Sequence, residues 1–168
     1  SHPIPDSRSL EAGTRVLDFI SVLNKEDTLV CLISGGGSAL VTAPYAGITL
    51  EDMKSLTSLL LACGARIDEI NTIRRSLDRV KGGGLARATK AKIISLILSD
   101  VIGNPLETIA SGPTFPNPTT GADAIAILKK CKIEERVSIS IMNFLESGSL
   151  LPSFQQQAVG VQNLIIGD

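Results

Sequence analysis

Hydrophobic residues recur along this chain at two spacings, one typical of amphipathic helices and one typical of buried strands. Helical spacing predicts helices over residues 11–23, 49–63, 66–80, 85–89, 120–131 and 134–145. Continuous apolar runs predict strands over residues 28–33, 93–98 and 161–166. Because helices separate all three strands, we expect a three-layer α/β fold, an open parallel sheet with helices on both faces.

The first strand, residues 28–33, is apolar at every position after Thr28. A strand that is apolar on both faces is typical of the middle of a sheet covered by helices. We therefore expect this strand to have a neighbour on each side.

Composition narrows the range of functions. The 168 residues suit one domain. With a net charge of -1, 3% aromatic residues and no Trp, the chain lacks the positive field and the stacking surfaces that bind nucleic acid. No apolar run approaches the roughly 18 residues of a membrane span. We therefore expect neither a nucleic-acid partner nor a membrane partner.

The three cysteines, Cys31, Cys63 and Cys131, lie about 30 or more residues apart in apolar stretches. A zinc site needs close ligand pairs, and a disulfide framework needs an even number of cysteines. We interpret all three as buried, reduced thiols, which favours a cytoplasmic protein.

A glycine-rich loop directly follows the first strand. It consists of Ser34, Gly35, Gly36, Gly37 and Ser38. Glycines let the backbone turn its N–H groups toward an anion, and the serines add hydroxyl donors, so the loop is a candidate phosphate cradle. A flexible turn between strand and helix is the alternative.

Ser38 also resembles a hydrolase nucleophile, since a Ser that follows Gly on a strand-to-helix turn is typical of such enzymes. The pattern needs a glycine two residues after the serine, where this chain has Leu40. The single histidine is His2, at the start of the chain, so a Ser-His-Asp triad is disfavoured.

Two further segments carry polar groups that could bind an anion. Lys81 precedes Gly82 and Gly83, which pairs a positive charge with a second flexible loop; an exposed lysine at a helix end is the alternative. Asn71 and Arg74 lie one turn apart on a predicted helix and could grip a carboxylate or phosphate; a solvated helix face is the alternative.

The second strand is followed by a proline-rich segment, residues 99–120, which is predicted as a long loop. Asp100 lies at the carboxyl end of that strand, where ligands bind in open α/β sheets. It is the best candidate for a catalytic carboxylate or a magnesium ligand, and a turn-capping Asp is the alternative. Ser111 adds a hydroxyl within the same loop.

Six segments together resemble the glycerate 2-kinase family in order and spacing. They are SGGGSAL at residues 34–40, NTIRRSLDRVKGGGLA at 71–86, SDVIGNP at 99–105, IASGPT at 109–114, HPIPD at 2–6 and VQNLIIGD at 161–168. The resemblance implies an internal part of a Rossmann-like amino-terminal domain, residues 1–168, in a longer chain that ends in a MOFRL domain.

The resemblance implies a kinase that transfers the γ-phosphoryl group of ATP, with Mg²⁺, to D-glycerate, with 2-phosphoglycerate as the favoured product. The implied substrate- or phosphate-binding residues are Ser34, Gly35, Gly36, Gly37, Ser38, Asn71, Arg74, Gly82, Gly83 and Ser111. Asp100 and Lys81 are implied to be catalytic, with Asp100 a possible magnesium ligand. Without the family's Gly-Lys-Ala segment and its carboxyl-terminal domain, the fragment is expected to be inactive alone.

Asn104 departs from the resemblance, since the family often has Asp at that position. If metal binding depends on that second carboxylate, we expect magnesium to be held more weakly or elsewhere. Two other hypotheses fit the same residues. One is a non-kinase module of sugar-phosphate-binding or isomerase type that shares the glycine loop. The other is a scaffold domain that binds no small anion.

Overall fold

A computed structural model describes residues 4–99, 103, 105–147 and 160–167. Its helices are α1 Ser7–Ser21, α2 Gly37–Leu40, α3 Leu50–Ala62, α4 Ile67–Leu77, α5 Gly84–Arg87, α6 Gly121–Lys130 and α7 Ile139–Ser147. Its strands are β1 Thr28–Ser34, β2 Lys92–Leu98 and β3 Val161–Gly167. Two short 3-10 turns span Ile109–Ser111 and Glu134–Arg136.

The three strands form one parallel sheet in the order β1-β2-β3. In its register, Leu29 lies beside Ile93, and Ile93 lies beside Val161. The predicted α/β class with an open parallel sheet is therefore confirmed. The interior position predicted for the first strand is wrong for the described sheet, because β2 is the middle strand and β1 lies at one edge.

The two faces of the sheet differ in burial. Ile93, Ser95 and Ile97 lie on a covered face, where α1 and the loop before α6 pack. On the opposite face the side chains of Val30 and Leu32 are 55% and 79% exposed. Among the described residues, β1 is therefore covered by other segments on one face only.

The larger core is helical. Residues of α3, α4, α6 and α7 pack together, and Ile73, Leu77, Leu128 and Ile141 are fully inaccessible to solvent within it. Thr49 and Thr120 cap α3 and α6 through reciprocal bonds with Asp52 and Asp123, as the capping-box spacing indicates. This helical layer fixes α4, which carries two of the candidate site residues.

Two predicted helices differ from the observed ones. The helix predicted over 134–145 is a 3-10 turn followed by α7, because Val137 between them is extended. The helix predicted over 66–80 ends at Leu77, because Asp78 is extended and bridges Pro44. The second difference matters for the site, since it places Asp78 beside the segment that leaves the glycine loop.

The cysteines are free thiols, as predicted, but they are not all buried, since Cys63 is exposed and the other two are half-buried. Burial, aided by a hydrogen bond with Cys63, raises the pKa of Cys131 to about 11. No helix in the described part of the chain is long and apolar enough to cross a membrane.

Candidate functional site

The glycine-rich loop lies at the carboxyl end of β1. Gly36 adopts the left-handed conformation, with φ of 77°, and α2 begins at the next residue. A Cβ atom added at Gly36 would meet no heavy atom within 4 Å, so glycine is required there by the backbone conformation and not by packing. The outer side of the loop is therefore open to a ligand.

Three segments that are distant in sequence meet beside this loop. Ser38 Oγ lies 2.7 Å from Ser111 Oγ, and Ser111 donates a hydrogen bond of 3.1 Å to Asn71 Oδ1. A hydroxyl has one hydrogen, and that of Ser111 goes to Asn71, so Ser38 donates to Ser111. The structure thus brings together the predicted residues of the glycine loop, of α4 and of the long loop.

Ser111 is held in this place by a strained turn. Ala110, Ser111 and Gly112 have φ of 50°, 60° and 60°, in the left-handed region that residues with a side chain rarely adopt. Ser111 is fully buried. Strain of this kind persists where the surroundings over-determine the conformation, and it clusters at ligand sites.

The second glycine loop supports the strained turn. The N–H of Gly82 donates to Ser111 O at 3.0 Å, and that of Gly83 donates to Gly112 O at 2.7 Å. A Cβ on Gly82 would lie 2.8 Å from that of Asn117, and one on Gly84 would lie 2.0 Å from the carbonyl oxygen of Arg79. These glycines permit close backbone packing, and phosphate binding by Gly82 and Gly83 stays a prediction.

Arg75 anchors the long loop to α4. It donates to Asn117 Oδ1 at 2.9 Å, to Glu107 O at 3.0 Å and to Thr72 Oγ1 at 3.1 Å. Burial lowers the pKa of its guanidinium, which the charge of Glu107 opposes. Thr114 joins the same loop to the sheet, since it accepts from Ser95 and donates to Asn163.

Replacing Arg75 with Met should loosen this loop, because three acceptors would lose a charged donor. We expect the free energy of local opening over residues 109–117 to fall by about 2 kcal/mol, or roughly 30-fold in amide protection. Hydrogen exchange on the complete protein measures it. Arg8→Met, which removes an 82% exposed arginine, is the matched control. Equal protection in both variants would contradict the anchoring role.

Lys81 lies beneath the end of α2 and is only 3% exposed. Its ammonium donates to Val41 O at 2.8 Å and to Asp78 Oδ2 at 2.6 Å. Burial lowers the pKa of the nearby Arg74 guanidinium, and the negative charge of Asp78 opposes that shift. One buried carboxylate next to the glycine loop therefore pairs with Lys81 and also acts through its charge on Arg74.

Two cavities adjoin these groups. One of about 220 Å³ is mainly apolar, and Ser34, Gly37 and Lys81 are among its lining residues. A much smaller one, of about 10 Å³, is lined in part by Ser38, Arg74 and Lys81. The fold therefore gathers the predicted loop serines and both predicted cations around the end of β1.

Asp100 and Asn104 lie outside the described residues.

The described residues offer little for a metal ion. Within the described ranges, no three His, Cys, Asp or Glu side chains are grouped so that they could hold one. Asp78 lies beside the loop, and its oxygens already accept from Thr42, Lys81 and the N–H of Val80. Mg²⁺ is bound through carboxylate oxygens, and those of Asp78 are already occupied by these three donors, so Asp78 does not fit a magnesium ligand.

A family model described as a domain of unknown function, DUF4147, matches residues 1–146. The chain belongs to this family.

Several relatives of this DUF4147 chain are named for an activity. It is 48% identical over 147 residues to a glycerate 2-kinase of Pyrococcus horikoshii, covering 88% of this chain and 33% of that protein. It is 47% identical over 135 residues to an Agrobacterium vitis protein with the provisional name hydroxypyruvate reductase, covering 80% and 31%. The resemblance to the glycerate 2-kinase family is thus confirmed, although the chain spans only about a third of these relatives.

A solved structure supports the same relationship. The crystal structure of a glycerate kinase from Thermotoga maritima superposes with a TM-score of 0.88 at 41% identity, and the match covers all of this chain and 39% of that one. The fold of this DUF4147 member therefore matches part of the fold of that glycerate kinase.

Sequence reasoning missed Asp78 and Thr42 as members of the site. Asp78 follows Arg74 by four residues within the helix predicted over 66–80, a spacing that places the two side chains on one face. That spacing was the available signal. Thr42 carried none, since its contact with Asp78 crosses 36 positions of the chain.

Proposed function

We propose that this chain is part of the amino-terminal α/β domain of a glycerate kinase, which transfers the γ-phosphoryl group of ATP to D-glycerate. The observation that carries the proposal is the meeting of Ser38, Ser111 and Asn71 at the end of β1. Relatives named glycerate kinases support it, because they match this chain along nearly its whole length. In open α/β sheets, ligands bind outside the carboxyl ends of the strands.

The proposed roles follow from what phosphoryl transfer requires, which is positioning and neutralisation of charge. Backbone N–H groups of the loop from Ser34 to Ser38 would hold a phosphate or carboxylate. Arg74 would supply a positive charge, Lys81 a second one, and Asn71 and Ser111 would fix the orientation of Ser38. Gly82 and Gly83 would act mainly by supporting Ser111.

Asp100 is the proposed catalytic carboxylate. It would accept the proton of the glycerate hydroxyl as that oxygen forms its bond to the γ-phosphorus and the bond to the β-phosphate oxygen breaks, which releases ADP. Mg²⁺ would neutralise phosphate charge. Since the described donors do not fit it, its ligands would be Asp100 and groups outside the described residues.

The proposed partner of this site is the rest of the same polypeptide, including a carboxyl-terminal domain that would close the cleft. The relatives are roughly three times as long as the matched part, which leaves room for such a domain. The fragment alone is therefore expected to be inactive or nearly so. A cytoplasmic location is part of the proposal.

A second candidate is reduction of hydroxypyruvate, suggested by the name of the Agrobacterium vitis relative. The loop disfavours it. The dinucleotide-binding order G-x-G-x-x-G would start at Gly35, but its last position is Leu40, where a glycine would be needed for close packing of helix on strand. The kinase proposal is therefore preferred.

A coupled assay on the full-length protein separates these functions. The kinase proposal predicts that ATP consumption depends on D-glycerate, with phosphoglycerate as the product. Oxidation of NADH or NADPH that depends on hydroxypyruvate, without glycerate-dependent ATP use, would support the reductase instead. ATP use that never depends on glycerate would support a non-kinase sugar-phosphate-binding module.

A further inference from the structure

A buried ion pair lies behind the glycine loop. Asp78 and Lys81 are 0% and 3% exposed. Asp78 accepts three hydrogen bonds, from Thr42 Oγ1 at 2.5 Å, from Lys81 Nζ at 2.6 Å and from the N–H of Val80 at 2.9 Å. A buried charge is costly unless it is paired and hydrogen-bonded, and this carboxylate meets both conditions.

The pair connects the glycine-loop segment to the end of α4. Thr42 and the carbonyl of Val41, which follow α2, bind Asp78 and Lys81 respectively. Backbone bonds reinforce the connection, since the N–H of Arg79 donates to Ala43 O at 2.8 Å. Asp78 is therefore one of the groups that hold the loop segment against the end of α4.

The same carboxylate faces both proposed cations. Lys81 uses two of its three ammonium hydrogens on Asp78 and Val41, and one remains for a ligand. Arg74 lies close enough for its guanidinium to interact with the charge of Asp78, and both cations line the small cavity that also contacts Ser38. Asp78 thus holds Lys81 by a direct ion pair and acts on Arg74 through its charge.

We infer that Asp78 is a positioning residue, which holds Lys81 and Arg74 at the spacing needed to bind one anionic group of the substrate beside Ser38. The inference rests on the proposed kinase function. Asp78 itself is buried away from the ligand and donates nothing to it. Its effect is therefore expected in substrate affinity, through the two cations.

Steady-state kinetics of Asp78→Asn in the full-length protein test the inference. We expect KM for D-glycerate or ATP to rise about tenfold or more. The reason is that Lys81 and Arg74 would be misaligned, and losing a hydrogen bond from a charged group to the substrate weakens binding about tenfold or more. A merely structural role predicts a lower fraction of folded enzyme, which lowers apparent kcat and leaves KM unchanged. An unchanged KM would overturn the inference.

Thr42→Val keeps the inference testable if Asp78→Asn does not fold, because it removes one bond to Asp78 and preserves volume and charge. We expect KM to rise about threefold, and an unchanged KM would again overturn the inference. Combining Thr42→Val with Arg74→Gln should give an effect smaller than the product of the two, since the inference has Thr42 act partly through Arg74. Simple multiplication of the effects would contradict the part of the inference that joins Asp78 to Arg74.

Lys130→Met is the matched control. It removes a lysine that also pairs with a mostly buried carboxylate, Glu69, in the helical layer. We expect its KM to equal that of the wild type.

The failure of the proposed function and the failure of this inference give different results. If the wild-type protein shows no glycerate-dependent ATP use, the proposed function fails. If the wild-type protein is active and KM is unchanged in both Asp78→Asn and Thr42→Val, only this inference fails.

Discussion

Asp100→Asn in the full-length protein is expected to lower glycerate-dependent ATP consumption by at least about 100-fold. A positioned general base contributes about 10² to 10⁴ to the rate, and an amide cannot accept the hydroxyl proton. β2 ends at Leu98 and Asp100 comes two positions later in the sequence, so the proposed role takes Asp100 to act at the carboxyl end of that strand, where ligands bind in open α/β sheets. The measurement is the coupled assay with saturating ATP and D-glycerate.

Asp18→Asn is the control for this substitution, because it makes the same chemical change at an exposed position on α1. It should retain wild-type activity. Melting temperatures of the two variants should agree within a few degrees. That agreement would show that Asp100→Asn loses activity through impaired catalysis and not through unfolding. Turnover near the wild-type rate in Asp100→Asn would remove this residue from the mechanism.

Gly84→Ala is expected to destabilise the domain by about 3 kcal/mol or more. The added Cβ would lie 2.0 Å from the carbonyl oxygen of Arg79 and 2.6 Å from its carbon, and both are backbone atoms. Relieving that overlap requires α5 to move away from the turn that leads to Lys81. For a domain of this size we expect a fall in melting temperature of roughly 6 to 12 °C.

Gly37→Ala provides the comparison for stability. Its Cβ would meet only the Cβ of Ala110, at 3.4 Å, and its φ is not in the left-handed region, so the melting temperature should change little. Scanning calorimetry of the complete proteins compares the two substitutions. Similar melting curves for Gly84→Ala and Gly37→Ala would show that the close approach to Arg79 is not as the structure describes it.

Local patterns in the sequence predicted most elements of the fold. Buried strands are short apolar runs, and the capping pairs at Thr49 and Thr120 mark helix starts, so both are visible in one segment at a time. The edge position of β1 was not predictable in this way. Apolar side chains on both faces show that a strand can be buried on both faces. They do not show which other segments of the chain lie beside it.

The candidate site was predictable in its parts and not in its assembly. The glycines and serines after β1 indicated an anion site, but the contact between Ser38 and Ser111 spans 73 positions and depends on a left-handed Ala110. Nothing in the sequence marks an alanine for that conformation. Likewise, Gly36, which we propose to bind an anion, and Gly84, which permits close backbone packing, look the same in sequence.

A crystal structure of the complete protein with phosphoglycerate and a non-hydrolysable ATP analogue would test the central claim most directly. The claim is that the loop from Ser34 to Ser38, with Arg74, holds an anionic group of the reactants. We predict a phosphate or carboxylate oxygen within about 3 Å of the amide nitrogens of Gly36 or Gly37 and in contact with Arg74. Both ligands bound elsewhere, with this loop facing solvent, would contradict the account.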